Sequence, residues 1–239
     1  MKLRNAVAIT LVIAFFCWLS GCASTGQEQQ KEADFSYRMG VAYFNEGRIQ
    51  MAFIEFQKAL QLTPDNKDIL NSLGLVYLKL ENYDKARELF LKAISLDPGF
   101  SDAYNNLGVT YVQRKQWPEA VQAFKKALSN PLYTTPDKAL DNLGLAYYRI
   151  GQLESAIAAF KEAIKRAPSL PLSYYYFALA LNKAGRYGDA ATVITEAIEL
   201  DSSYKGDKTK FAEDLKKRLP TASGDEASDF KDYLEIMKY

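Results

Sequence analysis

Four glycines recur along this chain at a nearly constant interval. Gly40, Gly74, Gly108 and Gly144 are separated by 34 (74−40), 34 (108−74) and 36 (144−108) residues, and Ala178 follows 34 residues later (178−144). This period is typical of arrays whose repeats are pairs of helices. No such pair can bury its apolar face alone, so neighbouring repeats stack. The interval therefore predicts an all-α fold of stacked helix–turn–helix repeats.

Further columns align once each glycine is placed at position 8 of a 34-residue repeat. Position 11 is aromatic in four repeats, position 24 is Phe in four, and positions 20 and 27 are always Ala. The residues are Tyr43, Tyr77, Tyr111, Tyr147 and Leu181 at position 11; Ala52, Ala86, Ala120, Ala156 and Ala190 at position 20; Phe56, Phe90, Phe124, Phe160 and Ile194 at position 24; and Ala59, Ala93, Ala127, Ala163 and Ala197 at position 27. Small residues let the two helices of a repeat approach, and the aromatic rings fill the remaining space.

This pattern resembles the tetratricopeptide repeat, and the resemblance implies a right-handed superhelical solenoid. Pro64, Pro98 and Pro168 predict the ends of second helices, because proline disfavours helix in the residue before it. Gly47 and Gly151 predict turns between the two helices of a repeat. The repeats are then 33–66, 67–100, 101–136, 137–170 and 171–204. Residues 205–239 are interpreted as a degenerate sixth repeat or C-terminal cap, and the alternative is a detached tail whose last helix binds a partner.

The N-terminal residues are typical of an export signal. Lys2 and Arg4 precede an apolar run over 6–19, which is shorter than the roughly 20 residues that span a bilayer. The run ends in Leu-Ser-Gly-Cys at 19–22, which resembles the bacterial lipobox. That resemblance implies a signal peptide over 1–21, lipidation of Cys22 and a lipidated flexible tether over 22–32. The alternative is an ordinary signal peptide with an accidental cysteine.

The residue after the lipobox and the number of acyl chains predict where the protein resides. Two or more chains anchor a protein stably. Ala23, rather than Asp, follows Cys22, which favours the periplasmic face of the outer membrane over retention in the inner membrane. The predicted attachment to this membrane is the covalent lipid alone.

Composition argues against several classes of function. The chain has no histidine and two cysteines, which removes imidazole catalysis and most zinc sites. Loss of Lys2 and Arg4 with the signal would change the net charge from +1 to −1, which gives no electrostatic case for nucleic acid. No phosphate-binding loop or nucleophile elbow is present, and Asp225 and Glu226 are interpreted as solvated charge. We therefore expect no enzyme activity, no metal, no cofactor beyond the lipid on Cys22, and no small-molecule substrate.

The first helix of each repeat is expected to line a partner-binding groove, with positions 5, 9 and 12 facing into it. The candidate residues are Tyr37, Val41, Phe44, Asn71, Leu75, Leu78, Asn105, Val109, Val112, Asp141, Leu145 and Tyr148. An apolar floor edged by amides suits a helix or strand of a protein partner. The alternative is that individual residues pack against neighbouring helices. Lys79, Arg149 and Lys183 at position 13 are too few for a carboxylate clamp.

The longer interval before Gly144 narrows the family. The segment 130–144 contains Tyr133-x-x-Pro136 followed by Ala-Leu-x-Asn-Leu-Gly at 139–144, which resembles type IV pilus biogenesis lipoproteins of the PilF/PilW/Tgl kind. The resemblance implies a pilotin-like factor that binds pilus secretin subunits and promotes their assembly in the outer membrane. The alternative is a general cell-envelope scaffold that recruits other periplasmic or outer-membrane assembly proteins.

Overall fold

A computed structural model describes residues 26–239, and these residues form twelve helices and no strand. The first helices of the repeats, here called A helices, are α1 (26–45), α3 (Lys67–Lys79), α5 (Ser101–Gln113), α7 (Pro136–Arg149) and α9 (Pro171–Lys183). The second, or B, helices are α2 (Ile49–Leu62), α4 (Tyr83–Leu96), α6 (Trp117–Leu128), α8 (Leu153–Arg166) and α10 (Tyr187–Leu200). Two further helices follow, α11 (Lys208–Arg218) and α12 (Gly224–Ile236).

In the turn between the A and B helices, the residue at position 15 of every repeat has the left-handed backbone conformation. Gly47, Gly151 and Gly185 have φ of +74°, +80° and +78°, a region that glycine enters without steric cost. Glu81 and Lys115 occupy the same position with φ of 58° and 56°. Packing of the flanking helices therefore imposes this turn even where the sequence supplies no glycine.

The predicted prolines do terminate B helices. The residues before Pro64, Pro98 and Pro168 are helix caps with φ of −133°, −139° and −134°, outside the helical region. This is the restriction that proline places on its predecessor. Consequently α2, α4 and α8 each end at the residue directly before this cap, at Leu62, Leu96 and Arg166.

Position 8 is small because it faces the ring at position 24 of the same repeat. A Cβ added to Gly40, Gly74, Gly108 or Gly144 would come within 2.5–2.6 Å of the Phe ring of its own repeat. These four Phe side chains are at most 1% exposed, so the rings have little room to move. The fifth repeat has Ala178 and Ile194 at the two positions, both in one buried cluster. A larger residue at position 8 is thus matched by a smaller one at position 24.

The described residues divide into two compact units, 26–98 and 99–239. The core of the first unit is centred on Phe56 and Leu73. The second unit contains one cluster around Phe124 and another that joins repeats 4 and 5 to the C-terminal helices. Phe211 of α11 and Tyr233 of α12 belong to this last cluster. The C-terminal segment is therefore packed onto the repeats and is not a detached tail.

The N-terminal boundary differs in part from the prediction. Residues 26–32, for which the sequence predicts a flexible tether, are helical and continue into the first repeat as α1. Their Gln, Glu and Lys side chains are good helix formers, and Gln30 Nε2 donates to Asp34 Oδ1 at 2.8 Å. Polar composition alone does not distinguish an exposed helix from a tether. The predicted signal peptide, Cys22 and the start of the tether lie outside the described residues.

The two-residue insertion before repeat 4 forms an ordered turn over 129–135. Asn130 accepts a hydrogen bond from the amide of Leu132 at 3.0 Å, and its own amide group donates to the carbonyl of Gly99 at 3.1 Å. Leu132 is 83% exposed. The inserted turn thus exposes the apolar side chain of Leu132 and is held in place by the hydrogen bonds of Asn130 to the backbone of Leu132 and Gly99.

Candidate functional site

The candidate groove residues lie on the A helices, and within each unit we call the side of the A helices that carries them the A-face. In the first unit, α1 contributes Tyr37, Val41 and Phe44, all half-buried and packed against the core around Phe56. The Tyr37 and Phe56 ring centroids are 5.8 Å apart. These three residues thus support the core with one side and leave part of their surface accessible.

Helix α3 contributes Leu75 and Leu78, which are three residues apart and share one face of the helix. Both side chains are half-buried. Asn71 is only 9% exposed and already interacts within the protein. The accessible part of the A-face in this unit is therefore mainly apolar, and Asn71 is not the free amide that the sequence suggested.

In the second unit, α5 contributes Asn105, Val109 and Val112. The two valines pack against the cluster around Phe124. Asn105 Oδ1 accepts a hydrogen bond at 3.4 Å from Asn142, which lies on the next A helix. This amide pair joins repeats 3 and 4, so at least part of the hydrogen-bonding capacity predicted for a partner is used within the fold.

Helix α7 contributes Asp141, Leu145 and Tyr148, and all three are engaged within the protein. Ser173 Oγ donates to Asp141 Oδ2 at 2.7 Å. Burial raises the pKa of Asp141 to about 6, although the Ser173 hydrogen bond opposes this shift. Leu145 packs against the C-terminal cluster, and Tyr148, which belongs to it, is 2% exposed. Tyr148 is therefore not part of an open groove floor, which corrects the sequence-based interpretation at this position, whereas Asp141 and Leu145 are half-buried.

Helix α12 covers this part of the A-face through charge pairs as well as apolar contacts. Arg149 Nη1 donates to Asp229 Oδ1 at 2.8 Å, and Arg149 Nη2 donates to the other carboxylate oxygen. Both side chains are nearly buried. Lys115 Nζ lies 3.1 Å from a carboxylate oxygen of Asp225. Two cations near the C-terminal ends of A helices thus pair with two carboxylates one turn apart on α12.

The middle of α12 brings a third carboxylate to the same surface. Asp232 is hydrogen-bonded to Tyr148, and its pKa is raised by burial and then by the negative charge of Asp229, against the opposing effect of Lys183 and Arg149. Lys183 Nζ lies 4.9 Å from the centroid of the Tyr148 ring. Of the position-13 cations that the sequence analysis set aside, Arg149 therefore pairs with a carboxylate that the chain itself supplies, and the charge of Lys183 acts on Asp232.

A cavity of about 530 Å³ opens beside α12 in the second unit. Its walls include aromatic residues of α9, α11 and α12, among them Tyr175, Phe211 and Tyr233. Asp225 and Glu226 also line it, and they pair with Lys115 and Arg218 respectively. These two carboxylates are thus partners in ion pairs at a concave surface rather than isolated solvated charges.

Sequence reasoning missed that α12 covers repeats 4 and 5. Arg149 and Asp229 are 80 residues apart, and no local pattern links them. The available signal was the spacing of Asp225, Asp229 and Asp232, which places three carboxylates on one helical face.

Within residues 26–239, no group of three or more candidate metal ligands is found, and no helix has the length and hydropathy to cross a membrane.

Comparison with known families identifies the repeats. A family model described as the tetratricopeptide repeat matches residues 71–134 and 142–205, and a second model of the same description matches 32–99. An uncharacterized protein of Methanocaldococcus jannaschii, MJ0572, is 34% identical over 61 residues, which are 26% of this chain and 71% of that protein. With the helices described above, these matches establish the predicted fold class, an all-α helical-repeat solenoid.

Solved structures show the same fold. PilF of Pseudomonas aeruginosa is 20% identical with a TM-score of 0.69, and the match covers 85% of this chain and 98% of that one. PilW, a widely conserved type IV pilus biogenesis factor, is 23% identical with a TM-score of 0.67, and the match covers 82% and 96%. MamA is 24% identical with a TM-score of 0.61, and the match covers 74% and 96%.

Proposed function

The chain belongs to the tetratricopeptide-repeat family, and from this premise we propose that it is a lipid-anchored, pilotin-like factor for the type IV pilus secretin. Proteins built from these repeats are typically non-enzymatic scaffolds for protein–protein interaction. In this proposal the scaffold holds secretin subunits at the periplasmic face of the outer membrane while they assemble. The covalent lipid on Cys22 provides the anchor.

The accessible A-face of the first unit carries this proposal. Val41, Phe44, Leu75 and Leu78 keep part of their apolar surface accessible on α1 and α3. Burying one large apolar side chain contributes roughly 1.5–3 kcal/mol, while association costs about 4–15 kcal/mol. Several such anchors are needed together, and an extended or helical segment of a protein supplies them. A small-molecule substrate does not supply several such apolar anchors.

The pilus assignment draws support from two further features. One is the likeness of the fold to PilF and PilW, which extends over more than four fifths of this chain. The other is the ordered inserted turn that presents Leu132. The lipobox-like residues 19–22 support membrane attachment in this proposal, because a lipid with two or more acyl chains anchors a protein stably.

Deletion of the gene tests the proposal in a strain that makes type IV pili. We expect the pili to be lost and the secretin to run as monomer on SDS gels, with restoration by the wild-type gene. A Cys22→Ala variant should be soluble in the periplasm and restore oligomers poorly. Normal SDS-resistant secretin oligomers in the deletion strain would overturn the proposal.

The second candidate function is a general cell-envelope scaffold for other assembly proteins. The likeness to MamA favours it, since a comparable match occurs with a protein other than PilF and PilW. The two functions differ in the proteins recovered with the membrane-anchored chain after cross-linking. Secretin subunits are expected for the first, and other envelope proteins without secretin for the second.

A further inference from the structure

Helix α12 displays the chemistry of a ligand for the A-face. Asp225, Asp229 and Asp232 follow one another at helical spacing, and Tyr233 and Ile236 continue the same face. Asp229, Tyr233 and Ile236 are buried against the repeats. The helix is thus acidic along its first half and apolar along its second half on the side that it presents.

Helix α12 packs on α9, α10 and α11. We call the part of the surface beneath it that comes from α7, α9 and the turn after α5 the α12 seat, and its residues are Lys115, Tyr148, Arg149, Tyr175 and Lys183. The three cations come from three successive repeats, and two of them meet carboxylates that are one helical turn apart on α12, while Lys183 lies beside the Tyr148 ring. Arg149 and Lys115 contact Asp229 and Asp225 directly. The Tyr175 and Tyr233 ring centroids are 5.7 Å apart. Charge and apolar surface therefore match along most of the helix.

The contacts that hold α12 are ones that another helix can replace. The side chains of Lys115 and Asp225 are 65% and 45% exposed. Because exposed ion pairs contribute little to stability, this pair holds α12 in place only weakly. The Arg149–Asp229 pair is buried, and breaking it leaves an uncompensated charge unless an equivalent carboxylate enters. A short segment over 219–223 links α12 to α11, and Gly224 begins α12 with φ of +56°. Replacement of α12 by a helix with the same pattern of carboxylates is therefore favoured over release of α12 that leaves the seat empty.

We propose that the α12 seat binds an acidic amphipathic helix of a partner protein, which displaces α12 from Lys115, Arg149 and Lys183. The partner segment carries carboxylates at i, i+4 and i+7 and apolar residues at i+8 and i+11. Helix α12 acts as an intramolecular competitor that keeps the seat occupied until this segment arrives. The inference rests on the proposed function only in that both require a protein partner.

A peptide with the sequence of residues 224–239, labelled with fluorescein, tests the seat in the full-length protein. Asp229→Asn weakens the intramolecular docking and leaves every residue of the seat in place. The apparent affinity of a site scales with the fraction of molecules in which it is open. We therefore expect Asp229→Asn to bind the peptide about tenfold more tightly than wild type. The matched control is Glu235→Gln, which removes the same charge from a more exposed position on α12 and should bind like wild type.

Three outcomes would overturn the inference: equal peptide binding by wild type and Asp229→Asn, equal binding of a peptide with Asn in place of its three aspartates, or dimerisation of Asp229→Asn through exchanged α12 helices, seen by sedimentation. Arg149→Gln should abolish tight binding while the helical signal stays unchanged. If Asp229→Asn lowers helicity, Tyr233→Ala provides the same comparison, because it removes the contact of α12 with Tyr175 and leaves every residue of the seat in place. Loss of secretin oligomers on gene deletion together with no peptide binding would refute this inference and leave the proposed function intact.

Discussion

Substitution of Gly108 by alanine should destabilise the protein, although alanine is the better helix former. The added Cβ would lie 2.5, 2.7 and 2.8 Å from three carbons of the Phe124 ring. The ring is fully buried, so it cannot turn away without displacing its neighbours. The glycine is therefore required by the approach of α5 to α6 and not by its backbone conformation.

The expected magnitude is a difference between two opposing effects. Replacing a glycine within a helix by alanine stabilises by about 1 kcal/mol, and overpacking of a core costs about 1–3 kcal/mol. The net change in the free energy of unfolding is then a loss of up to about 2 kcal/mol. In a Phe124→Ile background, the ring is absent and the same Gly108→Ala change should stabilise by up to about 1 kcal/mol. Repeat 5, with Ala178 and Ile194, already has this combination.

Urea unfolding followed by far-UV circular dichroism measures both substitutions and their coupling. Gly188→Ala is the matched control, because it lies within α10 and an added Cβ would meet nothing within 4 Å. It should stabilise the protein by roughly 0.5 kcal/mol. The reasoning is refuted if Gly108→Ala stabilises the otherwise wild-type protein, or if its effect is the same with Ile at 124.

Two further substitutions test the electrostatics and the turns. Because burial raises the pKa of Asp141 to about 6, above its usual value near 4, the folded state keeps a proton that the unfolded chain loses between these pH values. Its contribution therefore reduces stability increasingly from about pH 4 to pH 6 and fully above that range. Asp141→Asn should raise Tm at pH 7.5 and leave it unchanged at pH 3.5, and an equal rise at both pH values would contradict this account. Glu81→Gly should raise the free energy of unfolding by about 0.5–1 kcal/mol, since glycine accepts the left-handed turn without strain. Glu88→Gly, on the exposed side of α4, should lower it by about 1 kcal/mol, and a loss at position 81 as well would show that the turn is not strained.

The repeat architecture was predictable because its determinants lie within a single repeat. Gly108 and Phe124 lie close together in sequence, and the same pairing recurs in four repeats. This recurrence makes the pairing recognisable without a structure. Prolines such as Pro64 act on the residue directly before them, so the ends of the B helices followed as well. The left-handed turns at Glu81 and Lys115 were not predictable from residue type, because packing of the flanking helices overrides the local preference.

The candidate site was predictable only in part because its exposure depends on distant residues. Leu75 and Leu78 keep part of their apolar surface accessible, as the A-helix pattern indicates. Tyr148 has the same position in its repeat as Leu78 but is buried with α12. The helical spacing of the three aspartates of α12 was visible in the sequence, yet their partners become evident only in three dimensions.

Capture of pilus secretin subunits by the purified full-length protein tests the central claim most directly. Leu75→Asp places a charge on the accessible A-face of the first unit, and Leu80→Asp, which makes the same change at an exposed residue just after α3, is its control. Both variants should keep wild-type helicity. The account predicts that wild type and Leu80→Asp retain the secretin subunits and that Leu75→Asp loses them. Equal recovery with Leu75→Asp, or no recovery with wild type, would contradict it.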